Sequence, residues 1–212
     1  MDKYTETSAT WNQLAKPYQE KFMGLNLYDA TYDHVCAAIQ KQHPQILEMG
    51  CGPGNITKYL LSKRPDFDIF GIDIAPNMIE LARLNNPGAT FSVMDCRDIH
   101  LLGTKYDGII GGFCLPYLLH ADGEKLLADC SNLLHENGLL YLSFVEGDPE
   151  KSYYQTGPGG QRIYFNFYRQ ADIIGQLGHL NFRDVHVFYI DYPRNENEVE
   201  KHTILTAVKS KT

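Results

Sequence analysis

The chain has 212 residues, a formal net charge of −7, and 43% hydrophobic and 21% charged residues. That length suits one large domain, at roughly 150 residues per domain, and the composition excludes a disordered, collagen-like or disulfide-scaffold chain. The negative balance offers no electrostatic footprint for nucleic-acid phosphates or anionic lipid, so neither nucleic acid nor membrane is an expected partner.

Residues 11–42 read as two helical stretches around Gly24, with Leu14, Tyr18, Phe22 and then Tyr28, Tyr32, Val35, Ile39 at three- and four-residue steps. A regular alternation follows, with strands over 45–50, 68–73, 90–95, 106–113 and 138–147 and helices over 55–62, 76–84 and 121–135. Short apolar strands between amphipathic helices predict a doubly wound α/β fold, a parallel sheet with helices on both faces. Residues 151–169, rich in Tyr and Phe and carrying a Gly-Pro-Gly-Gly turn, read as an insertion forming a lid or wall. Strands over 182–190 and 202–210, separated by a polar turn over 191–200, lack an intervening helix and predict an antiparallel pair. One domain is expected: a helical cap over 1–44, a ligand-binding core over 45–147, an insertion and helix over 148–180, and a hairpin over 181–212.

No apolar run approaches the roughly 18 residues of a membrane span, and the polar start has no apolar export segment. Five scattered cysteines without a C-x-x-C pair read as reduced thiols, which gives a cytoplasmic expectation. The eight histidines form no H-E-x-x-H, and no metal is expected.

The run Ile46-Leu47-Glu48-Met49-Gly50-Cys51-Gly52-Pro53-Gly54-Asn55 leaves a buried strand and opens a helix, where a doubly wound sheet binds its ligand. Dinucleotide folds place their third glycine where this chain has Asn55. The E-x-G-x-G-x-G form resembles motif I of class I S-adenosylmethionine-dependent methyltransferases. Three further matches follow in order: Asp73 closing the second strand in GIDIAPNMIELAR, Asp95 closing the third in VMDCRDI, and YDGIIGGF followed by LLHENGLLYLSF. The resemblance covers about 46–147 and implies a Rossmann-like, seven-stranded sheet in the order 3-2-1-4-5-7-6, with strand 7 antiparallel. It implies S-adenosylmethionine as cofactor and methyl transfer to a small-molecule acceptor. The chain lacks N-P-P-Y or D-P-P-Y after strand four, which argues against methylation of base exocyclic amines.

On that resemblance the glycine loop (Glu48, Gly50, Cys51, Gly52, Gly54) holds the cofactor, and Asp73 accepts from the ribose hydroxyls with Ile74 and Met78 as an apolar adenine wall. Asp95 receives the adenine amino group while the backbone of Cys96 reaches a ring nitrogen. Phe113, with Cys114, is placed to face the sulfonium. Glu48 either pins the loop or acts near the cofactor's ammonium through water, and Tyr18 is either a cofactor-covering aromatic or core. Tyr117, Glu146, Tyr153 and Tyr164 are candidate substrate-side residues, and no catalytic residue is singled out. Two rivals stand beside this reading: an NAD-dependent oxidoreductase, and a regulator that binds S-adenosylmethionine or S-adenosylhomocysteine without turnover.

Overall fold

The computed structural model describes residues 2–157 and 159–211, so Pro158 of the expected Gly-Pro-Gly-Gly turn lies outside the described residues. Helices α1 (Lys3–Phe22) and α2 (Asp29–Ala38) precede β1 (Gln45–Met49), α3 (Asn55–Lys63), β2 (Asp68–Asp73), α4 (Pro76–Asn85) and β3 (Thr90–Val93). A 3-10 turn (Cys96–Leu101) leads to β4 (Tyr106–Gly111), α5 (His120–Leu133) and β5 (Leu134–Val145). Then come β6 (Tyr153–Thr156), β7 (Arg162–Phe165), α6 (Gln170–His179), β8 (Phe182–Asn195) and β9 (Glu198–Lys209).

The main sheet runs β3-β2-β1-β4-β5-β9-β8. Its first five strands are parallel, and β9 is antiparallel to both β5 and β8. With β8 and β9 counted as the sixth and seventh strands of this sheet, the order is the expected 3-2-1-4-5-7-6.

Strands β1 and β4 sit mid-sheet and are buried along nearly their whole length, as parallel strands covered on both faces must be. Successive side chains of β1 serve opposite layers. Ile46 packs with Tyr32, Val35 and Ile39 of α2 and with Ile56 and Leu60 of α3, whereas Leu47 and Met49 pack with Leu126, Leu127 and Cys130 of α5. Each such aliphatic side chain contributes about 1.5–3 kcal/mol by leaving water, so the sheet's centre is its most stable part. The loops at the carboxyl ends of β1, β2 and β4 are therefore carried on a rigid base.

Helix α1 begins at Lys3, well before the stretch expected to be helical, because its polar first turns are held by tertiary partners rather than by an apolar stripe. Arg162 Nε donates to Glu6 at 2.8 Å and Thr10 Oγ1 to the Arg162 carbonyl at 2.9 Å. Asn77 donates two hydrogen bonds of 2.8 Å to Asn12, from its backbone N–H to Oδ1 and from Nδ2 to the carbonyl, and Asn85 Nδ2 donates to Gln19 at 2.7 Å. The insertion folds into the β6–β7 hairpin, and its Arg162 is one of these anchors. The polar turn expected over 191–200 is far shorter, since the backbone pairs through Asp191↔Lys201, Tyr192↔Glu200 and Pro193↔Val199. The expected helix to 135 stops at Leu133, because Leu134 already pairs with Tyr106.

Gly54 has φ +80, and a Cβ there would lie 2.3 Å from Asn86 Nδ2. That amide donates to the Gly54 carbonyl at 3.0 Å, joining the start of α3 to the end of α4. Gly54→Ala combines left-handed strain with a clash inside the loop's scaffold and is expected to cost about 2–3 kcal/mol of stability, read as a lower urea midpoint at unchanged m-value.

Candidate functional site

The turn after β1 places Gly50, Gly52 and Gly54 at φ +63, +53 and +80, a backbone path that side-chain-bearing residues rarely follow. Asp73, ending the neighbouring strand, braces it. Its Oδ2 accepts the Gly52 N–H and its Oδ1 the Ala75 N–H, both at 2.9 Å. Burial pushes the Asp73 carboxyl above its usual range, opposed by these backbone donors.

A cavity of about 780 Å³, partly open to solvent, lies over this turn. Of the residues anticipated from sequence, Gly50, Gly52, Asp73, Ile74, Met78, Asp95, Cys96, Phe113, Tyr18 and Tyr117 line it, together with Cys114. Tyr4, Thr7, Trp11, Met94, Gly112 and Leu118 also line it and were not anticipated. Tyr4, Thr7, Trp11 and Tyr18 recur on one face of α1, and extending the helical period toward the start of the chain would have found them.

Asp95, in the cavity wall, is paired with Arg97, which stands behind it and does not line the cavity. Asp95 Oδ1 accepts the Arg97 N–H at 2.9 Å, and Oδ2 accepts Nε at 3.0 Å and Nη2 at 2.6 Å. The guanidinium lies 3.6 Å from the centre of the Tyr4 ring, and the Tyr4 hydroxyl donates to Asp122 and accepts the Leu119 N–H. Burial and the Asp122 carboxylate push that hydroxyl up to about 12.

Phe113, just after β4, has φ +53 and donates its N–H to Ser143 Oγ at 2.8 Å. Its ring packs edge-on against His202 at 4.7 Å. His202 in turn contacts the Tyr28 hydroxyl at Nδ1 (2.7 Å) and Glu200 at Nε2 (2.8 Å), so the wall behind Phe113 is cross-tied between α2 and β9. The bond to His202, with Arg194 adding to it against burial, holds the Glu200 carboxyl below its usual range. Burial pushes the Cys114 thiol up to about 12, which removes it as a nucleophile near neutrality.

Six of the anticipated residues stand off the cavity. Cys51 packs with Ile79, Ala82 and Phe91, and Gly54 serves the α3–α4 contact. Glu146 is exposed beyond β5, Tyr153 packs against Phe165 and Phe167, and Tyr164 faces Tyr154 with Lys3 over its ring. Glu48 is fully buried beside α3, where Thr57 Oγ1 donates to Oε2 while Oε1 has no hydrogen-bond partner.

Residues 46–138 match the family model for a methyltransferase domain. Over those residues, under half of its length, the chain is similar to methyltransferase domains. It is 44% identical over 107 residues to a malonyl-[acyl-carrier protein] O-methyltransferase of Acetivibrio thermocellus, covering 49% of this chain and 36% of that protein. It is 33% identical over 111 residues to a trans-aconitate 2-methyltransferase of an Enterobacter species, covering 51% and 42%. The chain thus spans under half the length of these two curated relatives. Among solved structures, the magnesium protoporphyrin IX methyltransferase of Synechocystis with bound S-adenosylmethionine superposes with a TM-score of 0.73 at 20% identity, over 99% of this chain and 98% of that one. The 1,6-didemethyltoxoflavin-N1-methyltransferase of Burkholderia thailandensis, with its substrate and S-adenosylhomocysteine bound, gives 0.70 at 18% over 100% and 92%. The oxidoreductase alternative is not favoured by these relatives. Among the described residues no helix is long and apolar enough to cross a membrane.

Burial pushes the Glu48 carboxyl from its ordinary value of 4.5 to about 8, against the Thr57 hydrogen bonds. The folded state therefore binds a proton that the unfolded chain has released, and its stability falls as pH rises from 4.5 toward 8. Glu48→Gln, isosteric and uncharged, is expected to flatten that decline and to raise Tm at pH 8 more than at pH 5, measured by thermal unfolding at both.

Proposed function

We propose that this domain transfers a methyl group from S-adenosylmethionine to a small-molecule acceptor. The observation that carries the reading is the charge of the cavity: Asp73 and Asp95 line it and no Lys, Arg or His does, which suits a cationic sulfonium ligand and suits a dinucleotide pyrophosphate poorly. The donors also fit the cofactor's groups. Asp73 keeps lone pairs beyond its two backbone bonds and would accept from ribose hydroxyls, while Ile74, Met78 and Met94 offer an apolar slot for adenine. Three of the roughly four acceptor sites on Asp95 are taken by Arg97, leaving one for an amino group.

S-adenosylmethionine would supply a methyl group activated on a cationic sulfur: the acceptor's lone pair would bond to the methyl carbon in line as the carbon–sulfur bond breaks, with S-adenosylhomocysteine as the leaving group. The chain's own residues bind, orient and exclude water. Gly50 and Gly52 let the backbone approach the ligand closely, and Trp11 and Tyr18 of α1 roof the cavity. Phe113, fixed in an uncommon backbone conformation, forms the wall nearest the ends of β1 and β4. The reading assigns this work to one domain of cap (1–44), core (45–147), insertion and helix (148–180) and hairpin (181–212). A cytoplasmic setting without nucleic acid or membrane as partner is supported by the charge of −7 and by five free cysteines.

Calorimetric titration with S-adenosylhomocysteine is expected to show micromolar binding, with none for NADH in a parallel titration. Asp73→Ala removes the ribose acceptor and the brace on Gly52 together, so a loss of at least tenfold in affinity follows, about 1.4 kcal/mol. Clear NADH binding, or an unchanged affinity in Asp73→Ala, would overturn the assignment.

A further inference from the structure

The cavity changes character away from the glycine loop and the two aspartates. Its remaining wall is formed mainly by Trp11, Tyr18, Phe113 and Tyr117. Trp11 stands edge-on to Tyr18 (centroids 5.5 Å, 88° between planes) and to Tyr117 (5.2 Å, 77°), and all three rings line the one cavity. Flat, unsaturated molecules gain most from such walls, through stacked and edge-to-face contacts of about 0.5–1.5 kcal/mol each beyond burial.

Among the described residues no Lys, Arg or His lines this space, and the arginines on the surrounding elements are committed elsewhere. Arg97 is bound to Asp95 at 2.6 Å, Arg162 to Glu6 at 2.8 Å, and Arg194 lies 3.4 Å from Glu200 and 3.6 Å from Glu198. Lys3 lies over the Tyr164 ring and Lys21 against Phe22 and Tyr192. A carboxylate entering here would lose its hydration with no guanidinium or ammonium of the protein to replace it, and only the cofactor's own cationic centre to oppose that loss, a penalty that an uncharged molecule of the same shape avoids.

We infer that the acceptor is a flat, uncharged ring molecule, and that the Trp11–Tyr18–Tyr117 enclosure selects against carboxylic acids. This rests on the methyl-transfer reading above.

The test compares two probes of matched shape, 2-naphthamide and 2-naphthoate, on protein loaded with sinefungin, a cofactor analogue whose amine keeps a positive charge near the sulfonium position. Calorimetry first establishes loading and then measures each probe. Trp11, the single tryptophan of the chain, reports entry through its fluorescence. The amide is expected to bind at least tenfold more tightly than the carboxylate. Tyr117→Leu is expected to weaken the amide at least fivefold with sinefungin affinity unchanged, while Tyr117→Phe keeps the ring and binds as the parent does. Naphthoate binding as tightly as naphthamide, or no amide binding to loaded protein, overturns the inference. A failure of sinefungin itself to bind appears in the first titration and overturns the methyl-transfer reading instead, and with it the inference built on it.

Discussion

The turn between β1 and α3 exists because one carboxylate holds it. Three glycines at positive φ make a path that costs chain entropy and would wander if left to itself. Asp73 binds the Gly52 N–H from the adjacent strand, and the Cys51 N–H reaches the Ile72 carbonyl at 3.0 Å, so the loop is tied to β2 at two successive residues. The same carboxylate accepts the Ala75 N–H at the start of α4. One side chain thereby fixes the glycine turn and the entry to α4, and the floor of the cavity inherits its shape from that bond pair.

From this brace outward the chain builds a cavity with acid at one end and rings at the other. The acids are managed differently. Asp73 is bonded only by backbone N–H groups and is pushed toward its neutral form by burial, whereas Asp95 is matched by the Arg97 guanidinium in a bidentate pair. Arg97 also lies on the Tyr4 ring, so the acid wall and the roof helix share one contact. The ring end has its own support in the Tyr28–His202–Glu200 chain behind Phe113, which joins elements that the sequence separates by more than 170 residues.

Much of this was legible in the sequence because its physics is local. Continuous apolar runs such as those around Ile46 and Ile109 declare doubly covered strands, and Gly50, Gly52 and Gly54 declare a backbone that must turn and approach something closely. Asp73 and Asp95 were singled out by the family resemblance, Asp73 at the end of β2 and Asp95 two residues beyond β3. What escaped depends on distant partners. The first turns of α1 are polar, and nothing nearby in sequence announces that Glu6 will meet Arg162 or that Asn12 will meet Asn77. Glu48 was legible as part of a motif but not as a fully buried group beside α3, since its partner Thr57 sits on that next helix. The β6–β7 hairpin was hidden because its aromatic residues follow no simple period.

The roof helix has a kinetic consequence. Helix α1 contributes Tyr4, Thr7, Trp11 and Tyr18 to the cavity and is pinned at several points along its length, to Asp122, Arg162, Asn77 and Asn85. Where a ligand as large as a nucleoside with an amino-acid tail has to pass beneath the helix, these ties slow the helix's opening, so hydrogen bonds that never touch the ligand lengthen its residence time.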